Sequence, residues 1–185
     1  MKIKAVFLDR DKTILLPYGG EKYIYRIEDC YIPATYIRAL KLLNDEGFQL
    51  FIVTNQGRIA KGYTTEEDVV SLHKSLDVIF QYNEIHITHY EYCPHNPRGT
   101  VYPYNITCEC RKPNTGMLDS IFDTYEIDIE RSWMVGDSGV DMAAGKRSGL
   151  NTVKVLTGIE SSTDYADYVE KDLSEAVNRI LSLSI

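Results

Sequence analysis

Two aspartates, Asp9 and Asp11, stand two residues apart directly after the apolar run Ala5-Val6-Phe7-Leu8. Residues at i and i+2 of an extended chain point to the same side. Both carboxylates therefore face one spot beyond the end of a strand. Two carboxylates at one spot repel each other unless a cation or a shared proton relieves them. That is costly for stability and useful for chemistry. Asp9 is placed to attack a phosphorus atom and form an aspartyl-phosphate, and Asp11 to protonate the leaving oxygen and later activate water. The pair alone is equally compatible with a plain acidic turn.

Further polar groups follow other apolar runs. Thr54 and Asn55 offer hydroxyl and amide donors to phosphate oxygens, and Lys112 can neutralise charge on a transferring phosphoryl group. Asp137 can join Asp9 and Asp11 in an oxygen shell for a catalytic Mg2+, with Asp141 one helical turn on as support. Singly, each has an ordinary reading. Thr54 could cap a turn, Lys112 could be solvated, Asp137 could be a turn residue, and Asp141 could answer a helix dipole. Only their joint placement makes a case for function.

A second constellation is Cys93-Pro94-His95 with Cys108-Glu109-Cys110. Three thiolates and one imidazole suit a tetrahedral Zn2+. All four positions would be filled by protein, which makes the zinc structural, a staple for a loop too irregular to fold unaided. Arg111 and Lys112 follow Cys110 directly, so the staple also aims them. Cys30 is remote from this set and is expected to pack as a small apolar residue.

The elements that must position these groups alternate. Strands are expected over 3–8, 48–53, 85–92, 133–135 and 152–156. Helices are expected over 33–46, behind a Thr64/Glu67 capping box, over 116–125, 140–148 and 173–183. Strands alternating with helices imply an α/β fold, a doubly wound, mostly parallel sheet with helices on both faces and a zinc-stapled loop. Ligands of such sheets bind beyond the carboxyl ends of the strands, where Asp9/Asp11, Thr54-Asn55 and Asp137 all fall. The Tyr-rich stretch from Tyr18 to Tyr31 lies where a specificity loop would be, and its aromatics are expected to pack on the core.

The 185 residues suggest one domain, 1–185, with the zinc loop at about 93–110. A net charge of -7 argues against a general nucleic-acid or membrane-surface binder. The basic start Met1-Lys2-Ile3-Lys4 runs into charged residues too soon for a signal peptide. No apolar stretch is long enough to span a bilayer. A cytoplasmic monomer acting on a small phosphorylated metabolite is expected, with no nucleic-acid or membrane partner.

Four clusters, Asp9-Arg10-Asp11-Lys12-Thr13, Thr54-Asn55-Gln56, Lys112-Pro113 and Gly136-Asp137 with Asp141, occur in this order over most of the chain. Together they resemble the motifs of the haloacid-dehalogenase-type phosphatases. The resemblance implies that Asp9 is the nucleophile, Asp11 the acid/base, and the last acidic motif a Mg2+ site. The zinc-loop segment is similar to the branch containing the heptose bisphosphate and histidinol-phosphate phosphatases. Its long spacer, Asn96-Pro97-Arg98-Gly99, Asn114-Thr115-Gly116-Met117-Leu118 and Ile59-Ala60-Lys61-Gly62 look more like the heptose enzymes.

The implied activity is Mg2+-dependent hydrolysis of a phosphorylated sugar, a D-glycero-D-manno-heptose 1,7-bisphosphate. Histidinol phosphate is the alternative substrate, and a phospho-accepting receiver-type signalling module the alternative from another class. Catalysis would rest on Asp9, Asp11, Thr54 and Lys112. Thr13, Asn55, Lys61 and Arg111 are expected on the substrate, Arg111 and Lys61 gripping its remote end. The chain departs from the family pattern at Lys12 (usually Gly), Gly57-Arg58 (usually Ser-Gly) and Ser138 (where the heptose enzymes tend to have Lys).

Overall fold

The computed structural model describes residues 2–20, 23–159 and 164–184. The order of elements is β1 (Ala5–Leu8), β2 (Leu16–Pro17), β3 (Cys30–Tyr31), α1 (Ala34–Asp45), β4 (Gln49–Asn55), α2 (Glu66–Tyr82), β5 (Ile87–Cys93), α3 (Gly116–Thr124), β6 (Trp133–Gly136), α4 (Gly139–Arg147), β7 (Asn151–Val155), β8 (Tyr168–Glu170) and α5 (Leu173–Leu183). Six strands form one sheet in the order β5-β4-β1-β6-β7-β8, with every neighbouring pair parallel. β2 and β3 make a separate antiparallel ribbon.

The two-residue alternation of the strands sorts their side chains into two cores. Val6 and Leu8 of β1 pack with Leu40 and Leu43 of α1, Leu72 and Leu76 of α2, and Val177 and Ile180 of α5. Ala5 and Phe7 face the other way, toward Met117 and Ile121 of α3 and Met142 of α4. Both faces of the sheet are thus covered, which is why β1 is apolar at every position. After β1 the chain builds β4 and β5 on one side, then β6, β7 and β8 on the other. The direction reverses at β1, so a crevice opens at its carboxyl end. Asp9 is the first residue past that end.

Local signals explain most boundaries. Gly47, at φ +79°, turns the chain out of α1. The capping box of α2 uses Thr65 and Asp68, one residue later than the expected Thr64/Glu67 pair. Asp68 N–H donates to Thr65 Oγ1 (3.1 Å) and Thr65 N–H to Asp68 Oδ2 (3.0 Å). Both threonines have an acid three residues on, and Thr64 instead donates its hydroxyl to Asp68. Ile3, expected in the first strand, makes only an isolated bridge to Ile127. β8 has three residues and was not expected, being too short to show a period.

The Tyr-rich stretch also differs from expectation. Its aliphatic members fill the core, Ile24 and Cys30 being buried, while Tyr18 and Tyr31 are 54% and 42% exposed. These two rings lie 5.1 Å apart at the β2–β3 ribbon, tilted by 31° to each other. Cys30 packs as a small apolar residue, as expected. Among the described residues no helix is long and apolar enough to cross a membrane.

Glu84, just past the Asn83 cap of α2, sits at φ +57°, a left-handed conformation that disfavours any side chain with a Cβ. Among the described residues it makes one ion pair, an exposed one to Lys41, of a kind worth little. Glu84→Gly is therefore expected to stabilise the fold by roughly 0.5–1 kcal/mol, read as a higher denaturation midpoint at unchanged m-value. A lower midpoint would contradict this account of the turn.

Candidate active site

The tips of β1, β4 and β6 bring the first set of residues together. Asp9 follows β1 and its N–H donates to Val135 O of β6 (2.9 Å), which locks the turn. Its side chain is largely buried. Lys112 arrives from the loop after β5 with its side chain 1% exposed. The ammonium reaches Asp9 Oδ1 at 2.8 Å, Asp141 Oδ1 at 2.7 Å and the carbonyl of Val53. Asp141 lies in the first turn of α4, and its Oδ2 accepts from Ser138 N–H (3.1 Å) and Ser138 Oγ (2.6 Å). A Cβ on Gly136 would lie 2.4–2.5 Å from the Asp141 side chain, so only glycine lets that carboxyl approach β6.

Asp9, Asp137 and Asp141 form a compact acidic cluster, with one oxygen of each within 4.8 Å of the others. Burial raises the pKa of Asp9 well above its ordinary value; Lys112 opposes this, and Asp141, Asp137 and Asp11 add to it. Asp137 is pushed up to about 7, by burial and by Asp141, against Lys12 and Lys112. Burial works against the charge of Lys112, yet Asp141 and Asp9 hold its pKa above the usual lysine range. Three carboxylates against one ammonium leave unbalanced negative charge among oxygen donors. That donor set fits Mg2+, a hard cation that prefers carboxylate oxygens and keeps several waters.

The remaining expected residues divide. Asp11 is outside the acidic cluster: its carboxylate is engaged by Arg10 and by Gln56 Nε2 (3.2 Å). Thr54 is buried at the end of β4, where its hydroxyl accepts from Gln56 Nε2 (2.9 Å). Asn55 is committed to the backbone of Lys112, donating to its carbonyl and accepting from its N–H, each at 3.0 Å. In this structure it therefore positions Lys112. Thr13 is fully buried, with no hydrogen-bond partner for its hydroxyl among the described residues. Lys12 takes φ +66°, the left-handed region, which is the backbone reason a glycine suits this place.

Lys61, Arg98, Arg111 and Lys112 line one pocket of about 380 Å³. Lys61, Arg98 and Arg111 bring three basic side chains to this cavity, in a chain of net charge -7, which suits it to an anion, while the Lys112 ammonium is already shared by Asp9 and Asp141. Arg111 donates to the carbonyl of His95 (3.1 Å). A Cβ at Gly57 would fall 2.7 Å from its Nη1, so the glycine leaves room for the guanidinium.

Cys93, His95, Cys108 and Cys110 meet beside that pocket. Their sulfurs approach to 3.2–3.5 Å, and His95 Nδ1 lies 3.3 Å from Cys110 Sγ. A disulfide would need about 2.05 Å. The spacings lie nearer the edges, about 3.7 Å, of a tetrahedron built on Zn–S bonds of about 2.3 Å. The set is compatible with a structural zinc.

Two participants were missed by sequence reasoning. Arg10 is fully buried and forks onto Asp11, and His73 of α2 accepts from it. Arg10 stands between the two aspartates, and an arginine so close to an apolar strand was the available signal.

Comparison with known proteins agrees with this geometry. The HAD-hydrolase-like family model matches residues 109–176. The chain is 35% identical over 184 residues to the D-glycero-beta-D-manno-heptose-1,7-bisphosphate 7-phosphatase of Escherichia coli (strain K12), covering 96% of this chain and 95% of that one. It is 36% identical to the protein of the same name from Pasteurella multocida (strain Pm70), covering 97% and 98%. The fold is similar, at a TM-score of 0.83 and 22% identity over 98% and 99% of the chains, to D,D-heptose 1,7-bisphosphate phosphatase from B. bronchiseptica, solved with magnesium and phosphate.

The zinc assignment has a direct check. Elemental analysis of purified protein is expected to find close to one zinc per chain, and Cys110→Ser is expected to lose most of it and melt at a lower temperature. Zinc-free wild type, or a disulfide from Cys93 to Cys108 or Cys110 in freshly reduced protein, would refute it.

Proposed function

The chain belongs to the family of the heptose-1,7-bisphosphate 7-phosphatases, within the HAD-like hydrolases, and from that premise we propose that it hydrolyses one phosphate of a heptose 1,7-bisphosphate. The observation that carries the reading is Lys112. Its ammonium bonds the nucleophile candidate Asp9, and the same residue lines the basic pocket with Lys61, Arg98 and Arg111, so the anion site adjoins the reacting carboxylate. The reported relatives disfavour histidinol phosphate and a receiver-type module as alternatives.

In the proposed reaction an Asp9 oxygen attacks phosphorus. As that bond forms, the bond from phosphorus to the sugar oxygen breaks, and Asp11 gives that oxygen its proton. Water then attacks the aspartyl-phosphate, Asp11 takes a proton from it, and the bond between phosphorus and Asp9 breaks. Inorganic phosphate leaves and the Asp9 carboxylate is restored. Lys112 stays charged throughout and faces the negative charge that builds on the transferring group. Mg2+, held by Asp9 and Asp137 with Asp141 beside them, would supply Lewis-acid neutralisation of the phosphoryl oxygens. Asp11 was also expected as a metal ligand; its carboxylate points to Arg10 and Gln56, which favours the proton-transfer role. Thr54 and Thr13 remain candidates for phosphate contact, Thr13 because its buried hydroxyl has no partner among the described residues. Arg111, with Lys61, would hold the phosphate that does not react.

Asp9→Asn is expected to lower phosphate release from the sugar bisphosphate by at least about a thousandfold while the protein still folds, since the amide keeps the shape but is a poor nucleophile. Near-normal turnover would refute the aspartyl-phosphate route. Arg111→Ala is expected to raise KM for the bisphosphate by about tenfold or more, because a charge-assisted phosphate contact is lost. The same change should alter hydrolysis of a small phosphate ester much less, as that ester has no second phosphate to hold. Equal losses on both would move Arg111 to the reacting phosphate or to a purely structural role.

A further inference from the structure

We propose that Arg10 and His73 are positioning residues for the proton-transfer carboxyl of Asp11, an inference that rests on the reading of Asp11 given above. Arg10 sits between the two aspartates with no solvent exposure. Its Nε and Nη2 donate to Asp11 Oδ1 (2.7 Å) and Oδ2 (3.1 Å), a two-pronged grip that fixes the plane of the carboxylate. Its remaining terminal nitrogen, Nη1, lies 3.1 Å from His73 Nε2. A guanidinium only donates, so His73 Nε2 must accept, and the imidazole is neutral with its proton on Nδ1. Burial, and next the charge of Arg10, push the pKa of His73 down to about 3, consistent with that state.

His73 is itself braced. Its ring stacks on Tyr90 of β5 at 4.7 Å, and the Tyr90 hydroxyl donates to Asp77 Oδ1 (2.6 Å), one turn along α2 from His73. Tyr92 closes on the ring edge-on at 6.0 Å. A continuous set of contacts thus runs from α2 and the edge strand to the catalytic tip of β1. Gln56 adds a third donor to Asp11 from the end of β4. The Asp11 side chain is held by these buried partners and is still 31% exposed, so it has a free side from which to serve the leaving oxygen. Proton transfer depends steeply on placement, and an ångström of drift is enough to slow it. A carboxyl on a short turn has no such restraint of its own.

The leaving group separates positioning from mere support. Nitrophenolate departs as a stable anion and needs no proton, whereas a sugar alkoxide does. First-turnover rates are therefore compared for 4-nitrophenyl phosphate and heptose 1,7-bisphosphate. His73→Phe is expected to slow release of the sugar by at least about tenfold and to change the nitrophenolate burst by less than about threefold. His73→Gln, which keeps an acceptor for Arg10, is expected to recover most of the sugar rate. Equal losses on both substrates, or no loss on either, would overturn the proposal. If His73→Phe melts below the assay temperature, Arg10→Lys replaces it; it keeps the charge, lacks the fork, and carries the same expectation. Asp11→Asn is run in parallel. If it shows no leaving-group selectivity, the reading of Asp11 fails and this inference with it. Wild type inactive on both substrates would instead overturn the phosphatase reading.

Discussion

One buried ammonium organises the site. Lys112 is the cation through which Asp9 and Asp141 can share a dry pocket at the end of the sheet. Removing one partner of such a buried pair leaves an uncompensated charge, which costs about 3–5 kcal/mol. In the proposed reaction the ammonium would serve catalysis through the same contacts that hold the fold. It offsets only part of the acidic charge, and the remainder gives the site its appetite for a divalent cation.

Lys112 is held in place from two directions. The zinc-ligand loop delivers it, since Cys110 is two residues before it, and Asn55 clasps both polar groups of its backbone. Gly57 leaves the space that Arg111 fills, so the departure from the family pattern at this position is tied to the loop that docks there. Its neighbour Arg58 is sandwiched between Tyr23 (3.5 Å) and Tyr63 (4.1 Å) and donates to the Tyr25 hydroxyl. The Gly57-Arg58 pair thus fits two irregular segments, the Tyr-rich stretch and the Cys/His loop, against the tip of β4.

The sequence discloses the positions of chemistry better than their connections. Asp9, Thr54 and Asp137 were legible because each ends a buried strand, and strand ends in a parallel sheet converge. The Cys93, His95, Cys108 and Cys110 cluster was legible from residue type and spacing alone. The bond between Lys112 and Asp9 joins residues 103 apart in sequence and is set by the path of a loop, which no local period encodes. Arg10 and His73 were hidden for a related reason: their meeting depends on how α2 crosses the sheet. The tyrosines from 18 to 31 were misjudged because composition does not say which face of a two-residue ribbon they take. β8 was missed because it has too few residues to declare a pattern.

The position of β1 has a consequence for the growing chain. It precedes the other described strands and is one of the two central ones, paired on one edge with β4 and on the other with residues 133–135 of β6. On a ribosome, which supplies residues in order, β1 and β4 can associate early, and one edge of an entirely apolar strand stays open until β6 emerges. Open strand edges invite pairing with other chains. Chains that stop before β6 therefore carry both an exposed sheet edge and an Asp9 without its Asp141 neighbour. Such nascent or truncated products would lack the Asp137 and Asp141 part of the acidic cluster while presenting a strand edge open to other chains.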